Sequence, residues 1–167
     1  LITGGARSGK SSFAEQRVKE FGAPLVYIAT AEAFDSEMKD RIALHQARRG
    51  TDWLTVPAPL NLPQALREAD GMGPCLVDCL TIWLNNLMFA KQETATAADQ
   101  LVAAIVARSD PVVLVTNEVG SGIVPENALA RRFRDEAGRM NQIIAAAVDE
   151  VYVSISGILV RIKPQPD

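Results

Sequence analysis

Gly4-Gly5-Ala6-Arg7-Ser8-Gly9-Lys10-Ser11 matches G-x-x-x-x-G-K-[ST], with Gly4, Gly9, Lys10 and Ser11 at the fixed places. The pattern has a physical reading as a phosphate-binding loop. Glycines let the backbone turn tightly and bring its N–H groups close to phosphate oxygens. Lys10 carries a point charge to the β- and γ-phosphates, and the Ser11 hydroxyl is a ligand for the Mg²⁺ that bridges them. All eight residues are expected to bind the triphosphate. The flanks agree: Leu1-Ile2-Thr3 is an apolar lead-in, and Ser12-Phe13-Ala14-Glu15-Gln16-Arg17-Val18 reads as a helix. A helix N-terminus favours the same anion.

Beyond the loop, strand and helix signals alternate. Residues 24–30, 53–56, 74–79 and 111–116 read as strands, mostly near-continuous apolar runs, as expected of strands buried on both faces. Residues 33–49, 60–69, 80–90 and 96–108 read as helices. A glycine-bearing loop at 117–126 precedes the longest helix, 127–148. There Leu129, Phe133, Ala137, Met140, Ile144 and Ala147 keep spacings of three and four along one face. Residues 150–156 and 158–163, broken at Gly157, read as a hairpin, so the last strand is expected to run antiparallel. The tail from Pro164 is expected to be loose. The expected fold is therefore α/β: a P-loop NTPase-like, mainly parallel sheet with helices on both faces and a C-terminal antiparallel strand. In such sheets ligands sit beyond the carboxyl ends of the strands.

A chain of 167 residues suits a single P-loop nucleotide-binding domain over 1–167. The net charge of −3 lacks the basic excess of a general nucleic-acid binder. No apolar run reaches membrane-spanning length, and no signal peptide is expected. A chain opening at Leu1 is expected to lack an initiator methionine and a residue or two of its first strand. Cys75 and Cys79, four apart in one strand candidate, are expected on one face, too distant to bridge. Reduced, buried thiols imply a cytoplasmic location.

Several other residues are chemical candidates. Asp78 ends an apolar strand, where an acid either completes the Mg²⁺ site or caps the next helix. Thr81 suits either site. His45, the single histidine, shares a helix face with Met38 and Ile42 and is flanked by Arg41, Arg48 and Arg49. It reads either as a histidine packed on an apolar stripe or as a nucleophile. Neighbouring cations would keep its imidazole neutral and would attract a polyphosphate. Glu118, at the end of another strand, either orients a substrate hydroxyl or assists the metal, or it belongs to an ordinary loop capped by Asn127. Arg131, Arg132, Arg134 and Arg139 either meet phosphate or form a solvated face.

Together these segments resemble one family, the bifunctional adenosylcobinamide kinase/adenosylcobinamide-phosphate guanylyltransferases of cobalamin assembly. The resemblance begins in the P-loop and continues through Tyr27-Ile28-Ala29-Thr30-Ala31, Asp35, Glu37-Met38, Arg41-Ile42 and His45. It then runs through Trp53, Asp78-Cys79-Leu80-Thr81, Trp83-Leu84 and Asn86-Leu87. Its sharpest block is Thr116-Asn117-Glu118-Val119-Gly120 with Gly122-Ile123-Val124-Pro125, followed by Arg132-Phe133-Arg134-Asp135, Gly138 and Asn141-Gln142. It implies two reactions: phosphorylation of adenosylcobinamide by a nucleoside triphosphate, ATP or GTP, and transfer of GMP from GTP to the new phosphate. It also implies covalent catalysis through a guanylylated histidine, here His45, with Lys10 as the other catalytic residue. Thr30, Ala31, Glu32, Gln46, Ala47, Arg48 and Arg49 would line the nucleotide site, Ser11 and Asp78 would hold Mg²⁺, and the assembly would be a homotrimer.

One position departs from the family pattern. Pro57 stands where a glutamate often follows the tryptophan stretch, and a prolyl residue offers neither carboxylate nor N–H. Two other functions share the P-loop: a small-molecule kinase without nucleotidyl transfer, and a nucleotide-sensing module that binds another protein.

Overall fold

The computed structural model describes residues 1–31 and 52–165. The expected helix 33–49 falls outside them, with His45 and its arginines. Seven strands form one sheet: β1 (Ile2–Gly4), β2 (Leu25–Ala29), β3 (Trp53–Pro57), β4 (Cys75–Asp78), β5 (Val112–Val115), β6 (Val151–Ile155) and β7 (Ile158–Lys163). Their order is β3-β2-β4-β5-β1-β6-β7. Every neighbouring pair is parallel except β6 and β7. The described helices are α1 (Lys10–Lys19), α2 (Leu62–Glu68), α3 (Leu80–Phe89), α4 (Thr94–Val106) and α5 (Ala128–Ala147).

Alternation along the strands builds two cores, one on each face of the sheet. Ile2, Leu25, Tyr27, Leu76, Val113 and Val115 point to the α1 side and pack on Ala14 and Val18. Val26, Ile28, Cys75, Val77 and Leu114 point the other way, against Leu62, Leu66, Trp83, Leu84, Leu101, Met140 and Ile144. Both faces are thus covered, which is why the strands read as apolar runs rather than alternating ones.

Two expectations change. Cys75 and Cys79 do not share a face: Cys75 lies in the core under α2–α5 and Cys79 in the α1 core. The strand ends at Asp78 and Cys79 begins the turn into α3, so the two-residue period of the strand no longer governs it. Both thiols are buried and free, and burial pushes each up to about 11. Leu129 leaves the apolar stripe of α5 and is exposed, whereas Ala137, Met140 and Ile144 are buried. Leu129 lies in the first turn of this 20-residue helix, and its fully buried residues begin only at Ala137.

The hairpin is as expected. Ile155 and Ile158 pair across a two-residue turn, and Ser156 and Gly157 both have positive φ, 51° and 80°. That is the backbone of a tight hairpin turn, and glycine at the second place adopts it without steric cost. Pro57 sits in β3, an edge strand, where a missing N–H breaks no second ladder.

A residue that the sequence did not single out ties α2 to α4. The Arg108 side chain is 1% exposed. It donates to the carbonyls of Leu66 (2.6 Å), Ala69 (3.1 Å) and Gly73 (2.9 Å), and to the Cys75 sulfur (2.9 Å). Asp70 and Asp110 stand 3.9 and 3.8 Å from it. The guanidinium thereby satisfies carbonyls that the end of α2 leaves open. Replacing Arg108 with Met should lower unfolding free energy by about 3 kcal/mol, the scale for breaking a buried charge cluster, read from the denaturant midpoint. A loss under 1 kcal/mol would contradict this role.

Candidate active site

The register aligns Pro57, Ala29, Asp78 and Val115, the last residues of β3, β2, β4 and β5, with Ile2 and Tyr152 near the starts of β1 and β6, so β1 and β6 reach beyond that row. Just past this row stand Thr3, Thr30 and Thr116, all buried. The Thr3 and Thr30 hydroxyls bind the segments that leave β5 and β4, and the Thr116 hydroxyl binds Asn141 of α5.

The P-loop occupies the end of β1. Gly4 has φ 155°, and a Cβ there would lie 2.5 Å from the Ser154 carbonyl oxygen and 2.7 Å from Ser8 Oγ, so no side chain fits. Arg7 and Gly9 have positive φ, 55° and 93°, and the chain enters α1 directly at Lys10. The last hairpin buttresses the loop: Ser154 Oγ donates to the Ser8 carbonyl at 2.6 Å, and Gly157 N donates to it at 3.2 Å. Gly5, Ala6 and Arg7 are exposed at the tip. Ser8 Oγ is buried with no hydrogen-bond partner among the described residues, a polar atom that a bound phosphate oxygen would satisfy.

Lys10 is 8% exposed and its Nζ donates to the Gly5 carbonyl at 2.9 Å. Burial lowers its pKa, and the Cys79 thiol and Asp78 carboxylate act against that shift. Asp78 is therefore within electrostatic reach of Lys10. It is not a helix cap: Cys79 occupies the N-cap of α3, without a side-chain cap bond. Ser11, in the first turn of α1, is half-buried. A hydroxyl and a carboxylate are hard oxygen donors, the type Mg²⁺ takes.

Thr30, which the resemblance places at the nucleotide site, has its hydroxyl engaged inside the fold. Its hydroxyl donates to the Cys79 carbonyl and accepts from Cys79 N, both at 2.8 Å. Its own carbonyl accepts from Asn86 Nδ2 at 2.9 Å. It knots the ends of β2 and β4 together instead of offering its side chain outward. Glu32, His45, Gln46, Ala47, Arg48 and Arg49 lie outside the described residues.

On the other side of the P-loop, β5 ends in a polar network. Glu118 N donates to the Gly4 carbonyl at 3.1 Å. Glu118 Oε1 accepts from Thr3 Oγ1 at 2.6 Å and from Asn141 Nδ2 at 3.2 Å. Thr116 Oγ1 donates to Asn141 Oδ1 at 2.8 Å, and Asn117 N donates to Thr81 Oγ1 at 2.8 Å. Strand β1, helix α3, the β5 loop and helix α5 thus meet beside Gly4. Asn127 caps α5, its side chain accepting from Ala130 N at 3.1 Å. Three of the four arginines are held locally: Arg131 binds the Pro125 carbonyl, Arg134 the Gly120 carbonyl and Arg139 the Glu136 carboxylate. They shape the loop and α5.

A cavity of about 580 Å³ opens at the opposite, amino end of the sheet, bounded by Leu1, Phe21, Val106, Asp110 and Tyr152. No P-loop residue lines it. The glycine-rich loop lies instead beyond the carboxyl end of β1.

The family model for cobinamide kinase / cobinamide phosphate guanyltransferase matches residues 1–162. The chain belongs to this family. It is 46% identical over 182 residues to the bifunctional adenosylcobalamin biosynthesis protein CobU of Salmonella typhimurium, covering 98% of each chain. It is 43% identical over 169 residues to the bifunctional adenosylcobalamin biosynthesis protein CobP of Pseudomonas aeruginosa, covering 99% of this chain and 98% of the relative. The CobU of Escherichia coli is 42% identical over 179 residues. Family membership extends over nearly the whole chain, so the P-loop, the Glu118 network and the hairpin all fall within it.

Sequence reasoning missed what Ser8, Ser154 and Asn141 do. Their partners are over twenty residues distant in the chain, and only the sheet order brings them together.

Proposed function

We propose that this protein phosphorylates adenosylcobinamide with ATP or GTP and then transfers GMP from GTP to adenosylcobinamide phosphate, releasing pyrophosphate. The observation that carries this reading is the intact P-loop, with Lys10 beside Gly5 and within reach of Asp78, in a chain of this family. In this reading Gly4 to Ser11 cradle the triphosphate and Lys10 follows the charge that develops on the transferring group. Ser11 and Asp78 would hold Mg²⁺, which neutralises charge between the β- and γ-phosphates. His45 would attack the α-phosphorus of GTP and carry GMP as a phosphoramidate to the second acceptor. Thr30, Ala31, Glu32 and Gln46 to Arg49 would complete the nucleotide site.

The test is turnover with purified protein. Adenosylcobinamide with ATP or GTP and Mg²⁺ should yield the phosphate, and added GTP should convert that to adenosylcobinamide-GDP. A protein that makes the phosphate but not the GDP product would be a plain kinase.

A homotrimer in the cytoplasm belongs to the same proposal. Among the described residues, no helix is long and apolar enough to cross a membrane. Ile155, Ile158, Val160 and Ile162 expose an apolar stripe on the C-terminal hairpin, at the sheet edge. Such an edge favours burial against another copy. Light scattering should give three times the chain mass, and Ile158→Lys with Val160→Lys should reduce it; a monomeric parent protein would contradict the assembly.

A further inference from the structure

The two acceptors of the proposed reactions differ in one chemical respect. A phosphate monoester, with a second pKa of about 6, is already an anion at neutral pH. An alcohol holds its proton and needs a base, or a well-placed acceptor, as it attacks. The P-loop and Mg²⁺ supply positive charge but no proton acceptor. A proton acceptor beside the γ-phosphate position, such as a carboxylate, would therefore serve the kinase step alone.

Glu118 has that position. Its backbone N–H holds the Gly4 carbonyl, and the next carbonyl, that of Gly5, holds the Lys10 ammonium. Lys10 marks the β- and γ-phosphates, so Glu118 flanks the same end of the loop. Its side chain is held from one side only. Thr3 and Asn141 both donate to Oε1, while no described donor holds Oε2. Glu118 is exposed at the carboxyl end of the sheet, on the loop that carries the exposed Ile123 and Val124. A substrate approaching over that loop would meet the free carboxylate oxygen.

We infer that Glu118 is the proton acceptor for the alcohol in phosphoryl transfer and has no part in guanylyl transfer. The acceptor oxygen forms a bond to the γ-phosphorus as the bond to the β–γ bridging oxygen breaks. The electron pair of that bond leaves with the nucleoside diphosphate, and the hydroxyl proton passes to Glu118 Oε2 and later to solvent. Thr3 and Asn141 are positioning residues, because they fix which oxygen faces the substrate.

The inference rests on the two-step reading, and the experiment separates their failures. Glu118→Gln keeps the shape and an oxygen for Thr3 and Asn141 but removes the basic oxygen. Kinase turnover should fall about 10²- to 10⁴-fold, the range for general-base catalysis. Guanylyl transfer to pre-formed adenosylcobinamide phosphate should stay within a few-fold of the parent, as should GTP affinity and the Mg²⁺ concentration for half-maximal rate. Glu118→Asp, with its carboxylate retained, should keep more kinase turnover than Glu118→Gln. Equal loss of both reactions, loss of GTP binding or a raised Mg²⁺ requirement would overturn the inference and make Glu118 a structural or metal-side group. A parent protein without kinase activity would instead defeat the two-step reading itself.

Discussion

Replacing Lys10 with Ala should lower both the phosphoryl and the guanylyl reactions by about 10³-fold in kcat, the scale for removing one cation from a transferring phosphoryl group, while the fold stays intact. The two halves of this expectation have one cause. Lys10 is the first residue of α1 and is almost fully buried, with its ammonium donating to the Gly5 carbonyl. Burial lowers its pKa, so holding its charge costs the folded state something in the absence of ligand. The sign follows from linkage. A lysine with a depressed folded pKa carries its stability cost below that pKa, and the cost fades as pH rises toward the unfolded value. Removing the ammonium should therefore leave thermal stability at neutral pH unchanged or slightly higher. Bound triphosphate reverses the balance by giving the charge its partner. The variant should lose the rise in melting temperature that GTP and Mg²⁺ give the parent. A variant that melts far below the parent would show that Lys10 is structural, and one that retains full turnover would remove it from the mechanism.

Replacing His45 with Asn should divide the two reactions in the opposite sense to Glu118. A nucleophile that forms a covalent intermediate cannot be replaced by position or charge alone, and losses on its removal reach about 10⁴-fold or more. Guanylyl transfer should fall by at least that factor. The kinase step, in which the acceptor alcohol attacks the γ-phosphorus directly, should change by only a few-fold. Both rates can be followed in one corrinoid assay, starting from adenosylcobinamide or from its phosphate. If His45→Asn leaves guanylyl transfer intact, the histidine returns to its other reading, a side chain packed on an apolar stripe with Met38 and Ile42. Lys10 impairs both reactions, Glu118 the first and His45 the second; that pattern distinguishes a shared phosphate cradle with two separate acceptor systems.

The fold was legible because its signals are local. The P-loop, the apolar strand runs and the Ser156-Gly157 turn each depend on a few adjacent residues, and each lies where its pattern places it. The family was legible because ordered motifs extend along nearly the whole chain. What escaped depends on contacts between distant segments. Cys79 changes face because the strand ends one residue earlier than its apolar run suggests. Leu129 is exposed because the fully buried part of α5 begins only at Ala137, a limit that helical periodicity does not mark. Arg108 looked like the end of a helix, and its burial follows from the meeting of α2, the turn at Gly73 and α4. The Thr30 hydroxyl is held at Cys79, a partner distant in the chain that no local pattern shows. At the site, the residue types were readable and the pairing was not. Glu118 and Asp78 both end strands, yet only the order β4-β5-β1 shows that Glu118 borders the P-loop strand directly while Asp78 stands one strand away.

The most direct measurement is the intact mass of the protein after incubation with GTP and Mg²⁺, before any corrinoid is added. The account predicts a GMP-sized increase that is stable to alkali, labile to acid and absent in His45→Asn, with pyrophosphate released in equal amount. An unchanged mass under conditions where GTP is shown to bind would contradict covalent guanylylation and leave the protein a P-loop kinase.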